Sequence, residues 1–228
     1  MWPLTDITVY YDNEKDSWTA FRYETNYISD MYHNRLEGYK PQKTGRICLH
    51  LRDKKIFEKP NYFGAICSYD LEFDFAKYNA IESKLERYKF ILDSIHKTIL
   101  EMADTLNWDR EVFIKSYDSI LRDDFKFTKE YPTKTSRDKK AVGQVTIEKT
   151  ETKTILTLKI SNGQSLETKL IEKKNWFWFD SGYQLAEKMK WIDKNNFGYK
   201  SKTTEKEIYY SLPDQKVVKN FEFKDEDF

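Results

Sequence analysis

The sequence predicts an α+β fold: an antiparallel N-terminal sheet packed by one long and one shorter central helix, followed by a mostly antiparallel β C-terminal half. Three observations predict it. Ile81, Leu85, Tyr88, Leu92, Ile95, Ile99, Met102 and Leu106 step by threes and fours through the middle of the chain, the period of a helix with one buried side. Short alternating apolar segments, separated by turn residues, lie before and after that stripe, as strands do. Strands, then helices, then strands is the order of an α+β protein rather than of repeating βαβ units.

The elements follow in order. Ile7-Thr8-Val9-Tyr10-Tyr11 is rich in β-branched and aromatic residues and ends at Asp12-Asn13, so it reads as a strand and turn, with a second strand at Trp18–Tyr23. Between 26 and 37 a short helix and a loop fit equally. Ile47, Leu49 and Leu51 alternate with Cys48 and His50, which predicts a strand at Arg46–Arg52. A loop at 53–61 containing Pro60 leads to an apolar stretch at Tyr62–Cys67. Leu71, Phe73 and Phe75 then alternate with Asp70, Glu72 and Asp74, a half-buried strand with one acidic face. The long helix is expected over 76–106, and Asn107 is placed to cap a second one carrying Trp108, Val112, Phe113, Tyr117, Ile120 and Leu121 inward.

Past Phe125 the composition shifts. The polar stretch 133–140 lacks apolar periodicity and is the candidate linker. Strands are expected at Val142–Glu148, Thr154–Ile160 and Ser165–Ile171, with Asn162-Gly163 as a tight turn. Trp176–Phe179 reads as a short strand and Tyr183–Asp193 as a helix. Ile208–Leu212 and Val217–Phe223 form a hairpin around Pro213-Asp214. The division is therefore 1–124 and 125–228, a layout compatible with one domain or two.

Composition narrows the chemistry. The 228 residues hold seven Gly, two Cys, three His and 37 aromatics at 16%, which sets the chain apart from disordered sequences despite 34% charged residues. The glycines stand singly, so no phosphate-cradling loop, dinucleotide fingerprint or nucleophile elbow can be written. The longest apolar run is the four residues Trp176–Phe179, too short for a membrane span, and a cytoplasmic, soluble protein is expected. Asp12–Asp16 imitates the start of a calcium loop, but Ser17 stands where the sharp turn needs Gly and Tyr23 where the bidentate Glu belongs. It reads as a polar turn, and no cofactor is expected.

Charge is unevenly spread. Residues 1–124 carry 18 basic and 22 acidic side chains, residues 125–220 carry 20 and 12, and the last eight carry one and four. The overall +1 therefore conceals a dipolar chain.

Three features could carry function. Cys48, His50 and Cys67 would make an open zinc site or a Cys–His nucleophile pair if their strands paired antiparallel; two buried free cysteines is the plainer reading. Asp70, Glu72 and Asp74 could hold a divalent cation, or be a solvated strand face. In the basic half, Lys173, Lys174, Trp176, Trp178, Tyr183 and Trp191 join lysines with aromatics, a surface suited to a protein partner. His96 reads as a partly exposed helix residue.

No family is identified by motif. The first reading is a non-enzymatic intracellular protein-binding module, with Lys173, Lys174, Trp176, Trp178, Tyr183 and Trp191 at its contact surface. Neutralising or escorting one specific partner is similar in general character to what bacterial immunity proteins do, although no residue carries the comparison. The second reading is single-stranded nucleic-acid binding by the basic aromatic half. The third is a metal- or cysteine-dependent enzyme.

Overall fold

The computed structural model describes residues 3–11, 19–175 and 182–222, and the chain divides into two compact units, Met1–Lys126 and Phe127–Phe228. The expected boundary at 124 moves by two residues because Phe125 belongs to the first unit. Its ring packs on Tyr88 at 5.7 Å and its carbonyl accepts from the buried Tyr27 hydroxyl at 2.7 Å.

The first unit opens with β1 (Asp6–Tyr10), α1 (Thr19–Asn34) and β2 (Arg46–Arg52). Strand, helix, strand is a crossover, and β1 accordingly pairs parallel with β2. This corrects the expected antiparallel sheet. The error starts at 18–23, where a short β-rich window concealed a helical period; Phe21, Thr25, Ile28 and Tyr32, at spacings of three and four, are among the buried residues of α1. Next come β3 (Asn61–Phe63) and β4 (Ile66–Glu72), an antiparallel hairpin turned at Gly64-Ala65, with β4 parallel to β2. The mixed sheet has the order β1-β2-β4-β3. The α+β class, the long and the shorter central helix, and the antiparallel C-terminal half stand as read.

The expected helix over 76–106 is two. After β4, Asp74 caps α2 (Phe75–Ala80), accepting from the Lys77 N–H at 2.9 Å, and Ser83 caps α3 (Lys84–Leu106). Tyr88, Leu92, Ile95, Ile99 and Met102 are buried as the stripe requires, whereas Leu85 is exposed. Asn107 does not start the next helix. It ends α3 in the left-handed conformation at φ 55°, and Asp109 caps α4 (Arg110–Arg122). α1 packs against β1, α3 against β4, and both α1 and α3 against α4. A buried carboxylate, Glu24, ties three helices: it accepts from the Tyr78 hydroxyl of α2 at 2.7 Å and from the Arg87 guanidinium of α3 at 3.0 Å.

The second unit has β5 (Phe127–Glu130), β6 (Lys134–Thr135), β7 (Val142–Lys149), β8 (Lys153–Ser161) and β9 (Ser165–Lys174) in one antiparallel sheet. The supposed linker 133–140 is part of it, since β6 pairs with β7 and the Ser136 hydroxyl bonds Asp138 at 2.8 Å. The Asn162-Gly163 turn is a three-residue loop between paired Ser161 and Ser165, with Gly163 at φ +94°. Then follow α5 (Gly182–Lys188), shorter than expected, and a second antiparallel sheet of β10 (Lys190–Trp191), β11 (Asn196–Lys200), β12 (Glu207–Ser211) and β13 (Lys216–Lys219). Ile147, Leu156, Leu158, Leu185, Met189, Phe197 and Ile208 form their shared core. Gly143 lets the Phe197 ring lie flat on β7, where a Cβ would stand 2.8 Å from it.

Candidate functional site

Parallel pairing decides which side chains meet. Ile47 pairs with Cys67 and Cys48 with Ser68, and residues paired across a ladder point to the same face. Cys67 therefore shares the apolar face of Ile7, Ile47, Leu49 and Leu71, while Cys48 and His50 lie on the other. The three residues do not converge, because convergence required antiparallel strands. Among the described residues, no group of three or more His, Cys, Asp or Glu could hold a metal ion. Both cysteines are free and buried. Burial pushes the Cys67 thiol up to about 11, and burial also raises Cys48 even with Arg46 beside it. A thiol held in its protonated form is a poor nucleophile. The His50 ring is stacked on Tyr10 at 5.4 Å, and Arg46 bonds Asp6 at 2.8 Å and the Thr8 hydroxyl at 3.0 Å.

The acidic row does not form a face either. Glu72 is exposed, Asp74 is the α2 cap, and Asp70 is fully buried. Asp70 holds the next segment in place. One carboxylate oxygen accepts from the Ile56 and Phe57 N–H groups at 2.7 and 3.0 Å, and the other from Arg52 at 2.9 Å. Burial alone would raise this carboxyl, but the Phe57 and Ile56 N–H groups and Arg52 outweigh it and hold the acid below its ordinary value. Lys55 reinforces the anchor by pairing with Glu101 of α3, its ammonium 4.5 Å from the Tyr69 ring centre. At the far end Tyr62 meets the buried Thr44 hydroxyl at 3.0 Å.

The segment so fixed presents apolar side chains to solvent. Ile56 is 65% exposed, Phe57 49%, Tyr62 41% and Phe63 83%. Outside 56–63, the described chain exposes large hydrophobics only at Leu85, Val142 and Leu166. The clustering is thus local to one excursion, residues 53–65. Its strand β3 is three residues long and preceded by Pro60, which has no N–H. Such an edge is a poor template for another strand, so this surface offers side chains rather than a ladder.

The C-terminal candidates fare differently. Trp176 and Trp178 lie outside the described residues. Trp191 is a core residue, its Nε1–H donating to the Lys134 carbonyl at 2.7 Å and its ring 5.1 Å from Phe197. Lys173 is buried and Lys174 exposed. Tyr183 is half-buried, with the Lys149 and Lys129 ammoniums 4.9 and 5.1 Å from its ring centre. Among the described residues of this set, Lys173 and Trp191 are buried, Tyr183 is half-buried and Lys174 is exposed. In this half Phe197 and Tyr210 also turn inward, Tyr199 and Tyr209 are half-buried, and Lys188, Lys190, Lys194, Lys200 and Lys202 turn outward.

The aromatics of the first unit go largely to its interior. Phe21, Phe73, Phe75, Tyr78, Phe90 and Tyr11 form a ring cluster with centroids 4.9–5.9 Å apart. The sequence marks 53–61 as a connection around Pro60, which leaves the exposed set at 56–63 without a predicted role. Its signal was there: Ile56 and Phe57 stand between lysines, in a stretch with no periodicity to give them a core side. No family model, no curated protein and no solved structure matches this chain.

Proposed function

We propose that the chain is a non-enzymatic protein-binding module whose contact surface is the 53–65 excursion. One observation carries this reading: a fully buried carboxylate and an ion pair hold in place a segment whose tips are Ile56, Phe57, Tyr62 and Phe63, all exposed. Apolar side chains in water are unfavourable unless something covers them. Holding them rigid removes part of the ordering cost that a flexible loop meets on binding. Lys54 and Lys59 flank the tips, both exposed. Asp53 and Glu58 are exposed beside them, so the partner that fits carries an apolar recess bordered by charges of both signs, and neutralising or escorting such a partner is the role the surface suits.

The test is capture from the native host with and without nuclease treatment, with the wild-type chain and with the double variant Phe57→Ser/Phe63→Ser, whose fold is checked by circular dichroism. A stoichiometric protein retained by wild type and lost by the variant is expected. With the purified partner, the affinity loss should be about 100-fold, which corresponds to ~3 kcal/mol. Equal retention by both chains, or retention of nucleic acid alone, overturns the reading.

A further inference from the structure

The 53–65 excursion is the rim of its sheet, since β3 is the last strand in the order β1-β2-β4-β3. Residues 61–65 are exposed throughout, and so are Asp53, Lys54, Ile56, Phe57, Glu58 and Lys59. Lys55 differs from them, turning back to Glu101 and the Tyr69 ring. The surface charges are therefore Asp53 and Lys54 before the apolar pair Ile56-Phe57, and Glu58 and Lys59 after it.

That order is its own complement. A two-fold axis sets a segment against its copy in the reverse direction, so that residue i meets j and j meets i. With Ile56 at the axis, Asp53 of one copy comes opposite Lys59 of the other, and Lys54 comes opposite Glu58. Every cross-pair joins unlike charges, and the symmetry makes each of them twice. The apolar residues then meet at the centre with charges at the rim, the usual layout of an interface. We propose that this surface is an isologous interface, covered in the free protein by a second copy of this chain. The inference rests on the reading of 53–65 as a contact surface and names its occupant when no other partner is bound.

Area sets the strength. A large side chain offers about 200 Å², so the exposed fractions of Ile56, Phe57, Tyr62 and Phe63 amount to roughly 450–500 Å² per copy. Two copies together bury about 1,000 Å², the bottom of the range for specific interfaces. Such a dimer is weak. The bonds from the Ile56 and Phe57 N–H groups to Asp70 hold the loop in place beforehand, which lowers the ordering cost. Contact through side chains also closes at two copies, because the three-residue β3 after Pro60 gives no ladder to continue from chain to chain. A weak dimer leaves the surface to a tighter partner, which displaces the second copy.

The experiment is sedimentation equilibrium of the purified full chain from about 1 to 500 μM, for wild type and three variants checked by circular dichroism. Wild type should pass from monomer to dimer with a Kd on the order of 10–100 μM and go no further. Glu58→Lys sets a lysine opposite Lys54 at two symmetric contacts and should weaken the dimer about tenfold. The exchange Lys54→Glu/Glu58→Lys restores unlike pairs and should return the Kd to within about threefold of wild type. Phe57→Ser/Phe63→Ser should abolish association, and the amide shifts of wild type that move on dilution should fall in 53–65. A chain still monomeric at about 500 μM, growth past the dimer, indifference to Glu58→Lys or to the Phe57→Ser/Phe63→Ser change, or failure of the exchange to restore overturns the proposal. These readings use pure protein, so they are independent of capture from the host: a monomeric wild type with a captured partner overturns only the dimer, and a dimer with no captured partner overturns only the separate partner.

Discussion

Asp70 shows how one residue can change meaning between sequence and structure. In alternation with Glu72 and Asp74 it looks solvated, yet it is fully buried and bonded to two backbone N–H groups and Arg52. Replacing it by Asn keeps the shape but sets an amide that is half donor against donors. Asp70→Asn should therefore destabilise the chain by about 2–3 kcal/mol in urea denaturation. Exchange of the Ile56 and Phe57 amides should rise more than that of the β4 core, and a uniform rise would show that Asp70 does not specifically anchor the loop. The cysteines give a second prediction at this scale. With both thiols buried and held in the protonated form, alkylation at pH 7.5 should be slow in the native chain and reach two per chain in denaturant. Fast native labelling of Cys48 would restore the nucleophile reading. The cysteine burial was legible in the sequence, because two lone cysteines in an apolar alternation have few other roles. Asp70 was not, because nothing local says that a loop thirteen residues upstream will fold onto it.

At the scale of elements, periodicity was reliable where it ran long and misleading where it ran short. The α3 stripe holds for most of its length, but its start was misread because the period continues back through Ile81 across a capped break at Ser83. A cap is a single side chain, and Asn107 could serve either end of a helix; its left-handed backbone assigns it to the C-terminus of α3. The opposite failure occurred at α1, where six β-rich residues outweighed a sixteen-residue helical period, and the parallel pairing of β1 with β2 was lost with it. The break before α3 leaves α2 as a six-residue helix, too short to persist by itself. What secures it is Tyr78, buried and donating to Glu24, which Arg87 also holds. Tyr78→Phe keeps the ring contacts and removes one bond to a buried charge, so it should cost about 2 kcal/mol. Exchange should quicken first in 75–80. A loss below about 0.5 kcal/mol would mean that ring packing, rather than the Glu24 bond, fixes α2.

At the scale of the whole molecule, the net +1 of the sequence resolves into two units of opposite sign, −3 over residues 1–126 and +4 over residues 127–228. Each has its own layers. The first closes on itself through Phe125, which returns to Tyr27 and Tyr88. The second begins its sheet at Phe127, paired with Lys149, and buries its own core between two sheets and α5. Both are longer than the roughly 40 residues below which domains need disulfide or metal support. Two fragments, 1–126 and 127–228, should therefore each fold, with circular dichroism that sums to that of the intact chain and a cooperative urea transition apiece. The proposed docking segment lies wholly in the first fragment, so 1–126 should bind the partner within about threefold of full-length affinity, a difference of ~0.7 kcal/mol. If 1–126 is unfolded, the closure through Phe125 is insufficient. If it folds but fails to bind, the 53–65 segment is not the contact surface and the proposed reading falls.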